Sequence, residues 1–114
     1  MDGEWIYQVG DHEERGKYVM GLREGEWKYF YKDGTLKYEG DYSQGNPDKR
    51  HKYYYPSGSL KEEQYYEMGI RENNWKKYDE EGNLVMTITY KNNVEQRING
   101  MRIRLPESDI TLIR

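Results

Sequence analysis

Residues 26–45 read EWKYFYKDGTLKYEGDYSQG, and the same frame returns as RHKYYYPSGSLKEEQYYEMG at 50–69 and NWKKYDEEGNLVMTITYKNN at 74–93. The step is 24 residues throughout. Gly34 recurs at Gly58 and Gly82, Leu36 at Leu60 and Leu84, Tyr42 at Tyr66 and Tyr90, and Phe30 at Tyr54 and Tyr78. Trp27 recurs at Trp75 with His51 between them, while Gly21, Gly45 and Gly69 close successive units and Asn93 stands next in that column. A fixed period of this size marks a repeat architecture, in which each unit buries its apolar side only against its neighbours. A shorter copy precedes the three. Its closing part, Arg15 to Gly21, keeps the step, but Trp5 lies 22 residues before Trp27, so this copy lacks two residues between its Trp and its second half.

Each unit reads as a β-hairpin. In the first, a strand over about Trp27 to Tyr31 meets a tight turn at Lys32-Asp33-Gly34, where Gly supplies the positive φ that a type I turn followed by a bulge requires. In the returning strand, Leu36, Tyr38, Gly40 and Tyr42 alternate with Lys37, Glu39 and Asp41, the period of two of a half-buried antiparallel strand. The polar stretch from Ser43 to Arg50 predicts a longer connection to the next hairpin. Beyond the repeats, Asn99-Gly100 sits between two alternating runs and predicts a turn, so residues 94–114 are expected to form a closing hairpin and tail, with Pro106 ending its second strand. The expected organisation is four units, 1–21, 22–45, 46–69 and 70–93, and a cap. The fold class is all-β: stacked hairpins in an elongated, twisted antiparallel meander.

Composition agrees with that reading. The 114 residues contain 13 Tyr, 3 Trp, 1 Phe and 12 Gly but no Ala, and only 34% of them are hydrophobic. Strand formers are abundant and the best helix former is missing. A thin core of large rings replaces a thick aliphatic one, because each ring buries roughly 150–250 Å². The net charge of −3 gives no electrostatic drive toward nucleic acid. No apolar run approaches the ~20 residues of a membrane helix. The absence of Cys removes disulfides, thiol nucleophiles and Cys-based zinc sites. The chain opens inside a repeat at Asp2-Gly3-Glu4-Trp5, and the expectation is a piece of a longer protein, with membrane contact expected only through an N-terminal anchor outside it.

Gly25-Glu26-Trp27-Lys28-Tyr29-Phe30-Tyr31-Lys32-Asp33-Gly34-Thr35-Leu36 has the pattern G-x-W-x-x-Y-x-x-x-G-x-L, followed by a Tyr and a Gly. It resembles the bacterial MORN-variant repeat, over roughly residues 2–93. The resemblance implies a meander of hairpins without catalytic residues, used for protein–protein and in some cases lipid contacts. Some chains with such repeats are similar to antitoxins of the YwqK type, and others are exported surface proteins. His51 for Trp, Asp79 for an aromatic and Asn93 for Gly depart from the pattern.

Residues held by the period serve packing first. That places Trp27, Leu36, Tyr42, Leu60, Tyr66, Trp75, Leu84 and Tyr90 in the repeat core. The aromatics whose counterparts lose the ring, Tyr29, Tyr31, Tyr38, Tyr53, Tyr55 and Tyr65, are candidates for an exposed interaction surface. His12 and His51 lie 39 residues apart with no Cys and no third ligand, short of what a zinc site needs. No Ser–His pair, calcium loop, GxGxxG or P-loop occurs. The expectation is therefore a non-enzymatic interaction module with no cofactor and a protein partner. An antitoxin-type inhibitor or a structural segment of a surface protein is the alternative, and pairing of edge strands offers a route to a homodimer.

Overall fold

The computed structural model describes residues 3–10 and 12–100. These form ten strands: β1 Gly3–Val9, β2 His12–Val19, β3 Leu22–Tyr31, β4 Leu36–Ser43, β5 Asn46–Tyr54, β6 Leu60–Glu67, β7 Ile70–Arg71, β8 Asn73–Tyr78, β9 Leu84–Lys91 and β10 Val94–Gly100. All pair antiparallel with their sequence neighbours in one open sheet, except that β7 and β8 share β6 as a partner. The result is the all-β meander of hairpins expected from the period, with principal extents of 48 × 33 × 21 Å.

The turn inside each repeat follows from its residues. Gly34 has φ 94° and its N–H donates to Tyr31 O at 2.9 Å, while Tyr31 N–H donates to Thr35 O at 2.8 Å. Asp33 Oδ1 accepts the Thr35 N–H at 2.9 Å, which holds its carboxyl below the usual carboxylate range. In the first hairpin β1 and β2 are separated only by residues 10 and 11, where the later hairpins use four or five residues. The two residues missing from the first copy are turn residues.

The connections between repeats differ from expectation. Ser43 to Arg50 is not a long loop: β4 runs to Ser43, β5 starts at Asn46, and Gln44-Gly45 alone makes the turn. Both have positive φ, 51° and 84°, the two-residue geometry that matches strand twist. Met20-Gly21, Met68-Gly69 and Asn92-Asn93 repeat it. Polarity suggested a loop, whereas these polar residues belong to strands that meet solvent on one side.

Neighbouring turns hold each other. Gly45 N–H donates to Arg23 O, Gly69 N–H to Pro47 O and Asn93 N–H to Arg71 O, at 2.7–3.0 Å. The acceptors Glu24, Asp48 and Glu72 take the N–H of Gln44, Met68 and Asn92 at 2.8–2.9 Å. One residue further on, Gly25, Lys49 and Asn73 all have positive φ (74°, 63° and 61°). There the first strand of each repeat bulges against the preceding hairpin, as the register jumps between Arg15 and Lys17 and between Gly40 and Asp41 show.

The predicted turn at Asn99-Gly100 is also corrected. Asn99 pairs with Thr87 and Gly100 with Met86, so both continue β10 along β9. Asn-Gly favours a turn only where the ladder can end, and here β9 still offers partners. The rest of the expected closing hairpin, its Pro106 end and the tail lie outside the described residues.

The core is one row of rings on one face of the sheet. Trp5, Tyr18, Trp27, Tyr42, His51, Tyr66, Trp75 and Tyr90 meet edge to face in succession, with centroids 4.9–6.4 Å apart and planes at 60–84°. This is the geometry that aromatic quadrupoles favour. Trp27 is fully buried and Trp75 is 8% exposed; Tyr42, Tyr66, Tyr90, Leu36, Leu60 and Leu84 are half-buried. Close approach at Gly16 makes room: a Cβ there would sit 2.0 Å from the Trp27 ring.

Candidate interaction surface

The ladder's ring nitrogens share one task. The Trp27 indole N–H donates to Lys17 O at 3.2 Å and the Trp75 indole to Tyr65 O at 3.0 Å. His51 Nε2 makes the equivalent bond to Asp41 O at 2.8 Å, and the ring is 2% exposed. His51 thus replaces Trp in both space and hydrogen bonding.

A second row of rings runs beside the first. His12 stacks on Tyr29 at 5.2 Å, Tyr29 meets Tyr38 at 4.7 Å and Tyr38 meets Tyr53 at 4.8 Å. The register carries this row on to Glu62, Lys77 and Met86, where rings give way to charge and sulfur. Between the rows stands Arg23. Its guanidinium lies 4.2 Å from the Trp27 centroid, donates to the Tyr29 hydroxyl at 2.7 Å and pairs with Glu14 at 3.5 Å. Glu14 also holds His12 at 2.9 Å. Sequence reading missed this cluster. The signal was available, since Arg23 returns at Arg71, which lies 4.6 Å from the Tyr90 centroid.

The six candidate tyrosines therefore fall into different places. Tyr38 is corrected outright: at 2% exposure it is core, because it sits between Tyr29 and Tyr53 with its hydroxyl on His51. Burial raises its pKa. Tyr29 and Tyr53 are half-buried members of the second row, and burial pushes the Tyr53 phenol up to about 12. Tyr31 and Tyr55 do equivalent work one step apart, their hydroxyls donating to Tyr54 O at 2.8 Å and Tyr78 O at 2.7 Å. Each ties its turn to the next hairpin, with Lys37 or Lys61 near its ring. Tyr65 alone of the six has no ring contact or side-chain hydrogen bond among the described residues.

Tyr65 lies on the opposite face, across from Arg50. That face is charged: Arg15, Lys28, Glu39, Lys52, Glu63 and Lys76 stand opposite one another in successive strands. A cleft of about 670 Å³ opens there, lined by Arg50, Glu63, Tyr65, Asn74, Lys76 and Thr89 among others.

Exposed apolar side chains gather elsewhere, along the rim formed by the turns between repeats. Val19, Met20, Leu22, Met68, Ile70 and Val94 are all exposed, Met20 by 84%. Leu22, Ile70 and Val94 occupy the residue just after the turn and Met20 and Met68 its first position, columns legible at the 24-residue step. The second repeat puts Gln44 and Asn46 there. No group of three or more His, Cys, Asp or Glu among the described residues could hold a metal ion.

A family model for the MORN repeat variant matches residues 23–44, 47–68 and 71–92. The chain belongs to this family. The matched segments start and end at the rim, so each MORN unit in this chain runs from one inter-repeat turn to the next. MORN repeats are non-catalytic modules that generally serve protein and membrane interactions. The shorter first copy, expected over 1–21, falls outside the match although β1 and β2 form its hairpin. A comparison with curated proteins returned no match.

Proposed function

We propose that this chain is a non-enzymatic protein-interaction module whose contact surface is the apolar rim of its inter-repeat turns, and whose partner is a protein presenting an aliphatic strip. The observation that carries this reading is the rim itself. Six exposed apolar side chains lie along one side of the sheet, whereas five of the six candidate tyrosines are tied into the fold. Exposed apolar side chains gathered on one rim are what interaction sites display, and here they flank the polar turn at Gln44 and Asn46. The spacing suits an extended partner, because successive repeats are two strands, or about 9.6 Å, apart.

The test places a photo-crosslinking residue at Met20 and, as a control, at Lys52 on the charged face. Cross-linking from position 20 should fall at least tenfold when Leu22→Lys and Ile70→Lys are added. Both substitutions should leave stability within about 0.5 kcal/mol, as exposed positions do. Equal yields from both faces, or yields indifferent to the rim charges, would remove the rim from the proposal.

A further inference from the structure

One edge of the sheet is β1, whose outer side has no partner strand among the described residues. That edge is nevertheless built like a joint. At each joint between repeats, the residue two before the ladder ring has positive φ: Gly25 before Trp27, Lys49 before His51 and Asn73 before Trp75, at 74°, 63° and 61°. There the strand bulges to receive the returning strand of the preceding hairpin. Gly3 stands two before Trp5 and has φ 95°. So β1 already holds the receiving bulge, although no described strand lies beside it.

The three joints show what such a bulge receives. Each ring meets a tyrosine of the preceding strand edge to face: Trp27 meets Tyr18, His51 meets Tyr42 and Trp75 meets Tyr66, with centroids 5.1–5.3 Å apart. The ring N–H donates to the carbonyl of the residue before that tyrosine, which is Lys17, Asp41 or Tyr65. One residue earlier stand Gly16, Gly40 and Gln64. Glycine lets the ring lie on bare backbone: a Cβ on Gly16 would overlap Trp27, and one on Gly40 would come 2.3 Å from His51. Trp75, received by Gln64, is the least covered of the three rings. The tyrosine and the carbonyl before it are common to all three joints, and glycine gives the closest fit. Trp5 has only the inner half of these contacts. Tyr18 lies 6.4 Å from it on the inner side. On the outer side no ring meets it and its indole N–H has no acceptor among the described residues, and it is 37% exposed where Trp27 is fully buried.

We propose that the outer edge of β1 is a docking site for an extended strand of another protein, antiparallel to β1 and carrying Gly-x-Tyr. The carbonyl of x takes the Trp5 indole proton, the tyrosine packs against the indole edge, and the backbone adds one strand to the sheet. The seven residues of β1 match a partner segment of about 23 Å. The described edges of a second copy do not offer this strand. With the ring faces aligned, β10 runs in the same direction as β1 and would meet it in parallel. In β1 itself the tyrosine is reached through Trp5-Ile6-Tyr7, which puts an indole where the glycine belongs.

The test uses a synthetic peptide with the sequence of residues 36–45, which contains Gly40-Asp41-Tyr42, titrated into the isotope-labelled full chain and followed by NMR. The Trp5 indole N–H and the β1 amides should shift while the Trp27 and Trp75 indoles stay in place. Tyr42→Ser in the peptide should weaken binding by about fivefold, the worth of one edge-on ring pair. Trp5→Ala in the chain should weaken it as much, and so should Gly3→Val, because valine resists a φ of 95°. If either variant fails to fold, the two peptides against the wild-type chain decide alone. No shift at millimolar peptide, equal binding by both peptides, or shifts centred on β10 or on the apolar rim overturns the proposal. Trp5 shifts that grow with the concentration of the chain alone would give the edge to a second copy and overturn it too.

Discussion

Replacing Gly16 by alanine tests whether the ring ladder rests on a bare backbone. A Cβ on Gly16 would stand 2.0, 2.1 and 2.5 Å from Cδ2, Cε2 and Cε3 of Trp27, where ordinary contact needs about 3.5 Å. The ring would have to retreat roughly 1.5 Å to restore that contact. It has no open space for this, being fully buried with Arg23 lying 4.2 Å from its centroid. Retreat would sever the indole bond to Lys17 O, worth about 1 kcal/mol. It would also spoil the edge contacts with Tyr18 and Tyr42, worth about 0.5–1.5 kcal/mol each. The sum is about 3 kcal/mol, at the upper end of overpacking costs. For a chain of this size that lowers Tm by roughly 12–15 °C. Gly16 has no positive φ, so alanine itself suits the backbone and by restricting the unfolded chain should stabilise by about 0.4–1 kcal/mol. In a Trp27→Leu background the same Gly16→Ala change should therefore be neutral or favourable. A urea-denaturation double-mutant cycle reads the coupling directly. An equal cost of Gly16→Ala with and without the Trp27 ring would refute the steric account.

Two further outcomes follow from the turn and bulge geometry. Lys49, exposed and held at φ 63° where the preceding repeat has Gly25, should become more favourable as Lys49→Gly by about 0.5–1 kcal/mol, seen as a rise in Tm; a fall would mean the lysine side chain contributes more than its strained backbone costs. Tyr55→Phe removes the hydroxyl that donates to Tyr78 O and should cost about 1 kcal/mol in chemical denaturation, with amide protection lost first around the 55–59 turn; an unchanged midpoint would show that water takes over the carbonyl.

The sequence carried the hairpins because their determinants are local and periodic. Gly34, Gly58 and Gly82 mark turns by backbone need alone, and Trp27 and Trp75 mark the buried column by size. The inter-repeat turns were misjudged because polarity cannot separate a loop from a strand with one wet face; positive φ at Gln44 is a property of the pairing around it. The turn expected at Asn99-Gly100 failed for a related reason, since β9 extends far enough to pair both residues. The column of Tyr38 holds Glu62 and Met86 and so reads as surface, yet the ring is covered by Tyr29 and Tyr53 and its hydroxyl meets His51, 13 residues away. A non-repeating residue was read as free when it was compensating for another departure from the repeat. The apolar rim was visible as columns, but only the turn geometry turns those columns outward.

The exchange of bonds between neighbouring turns has a consequence for how such a chain can change over generations. Arg23 and Glu24, Pro47 and Asp48, and Arg71 and Glu72 offer the same two acceptors to whatever turn follows. A unit copied or lost in whole steps meets the same reception at either end, so array length is free to drift by duplication and deletion. Tyr38 and His51 break that freedom. They belong to different hairpins and fit each other, so a deletion of residues 46–69 would set Trp75 against Tyr38, where no imidazole nitrogen receives the hydroxyl. The middle of the array is inherited as a pair, while its two flanks are interchangeable parts.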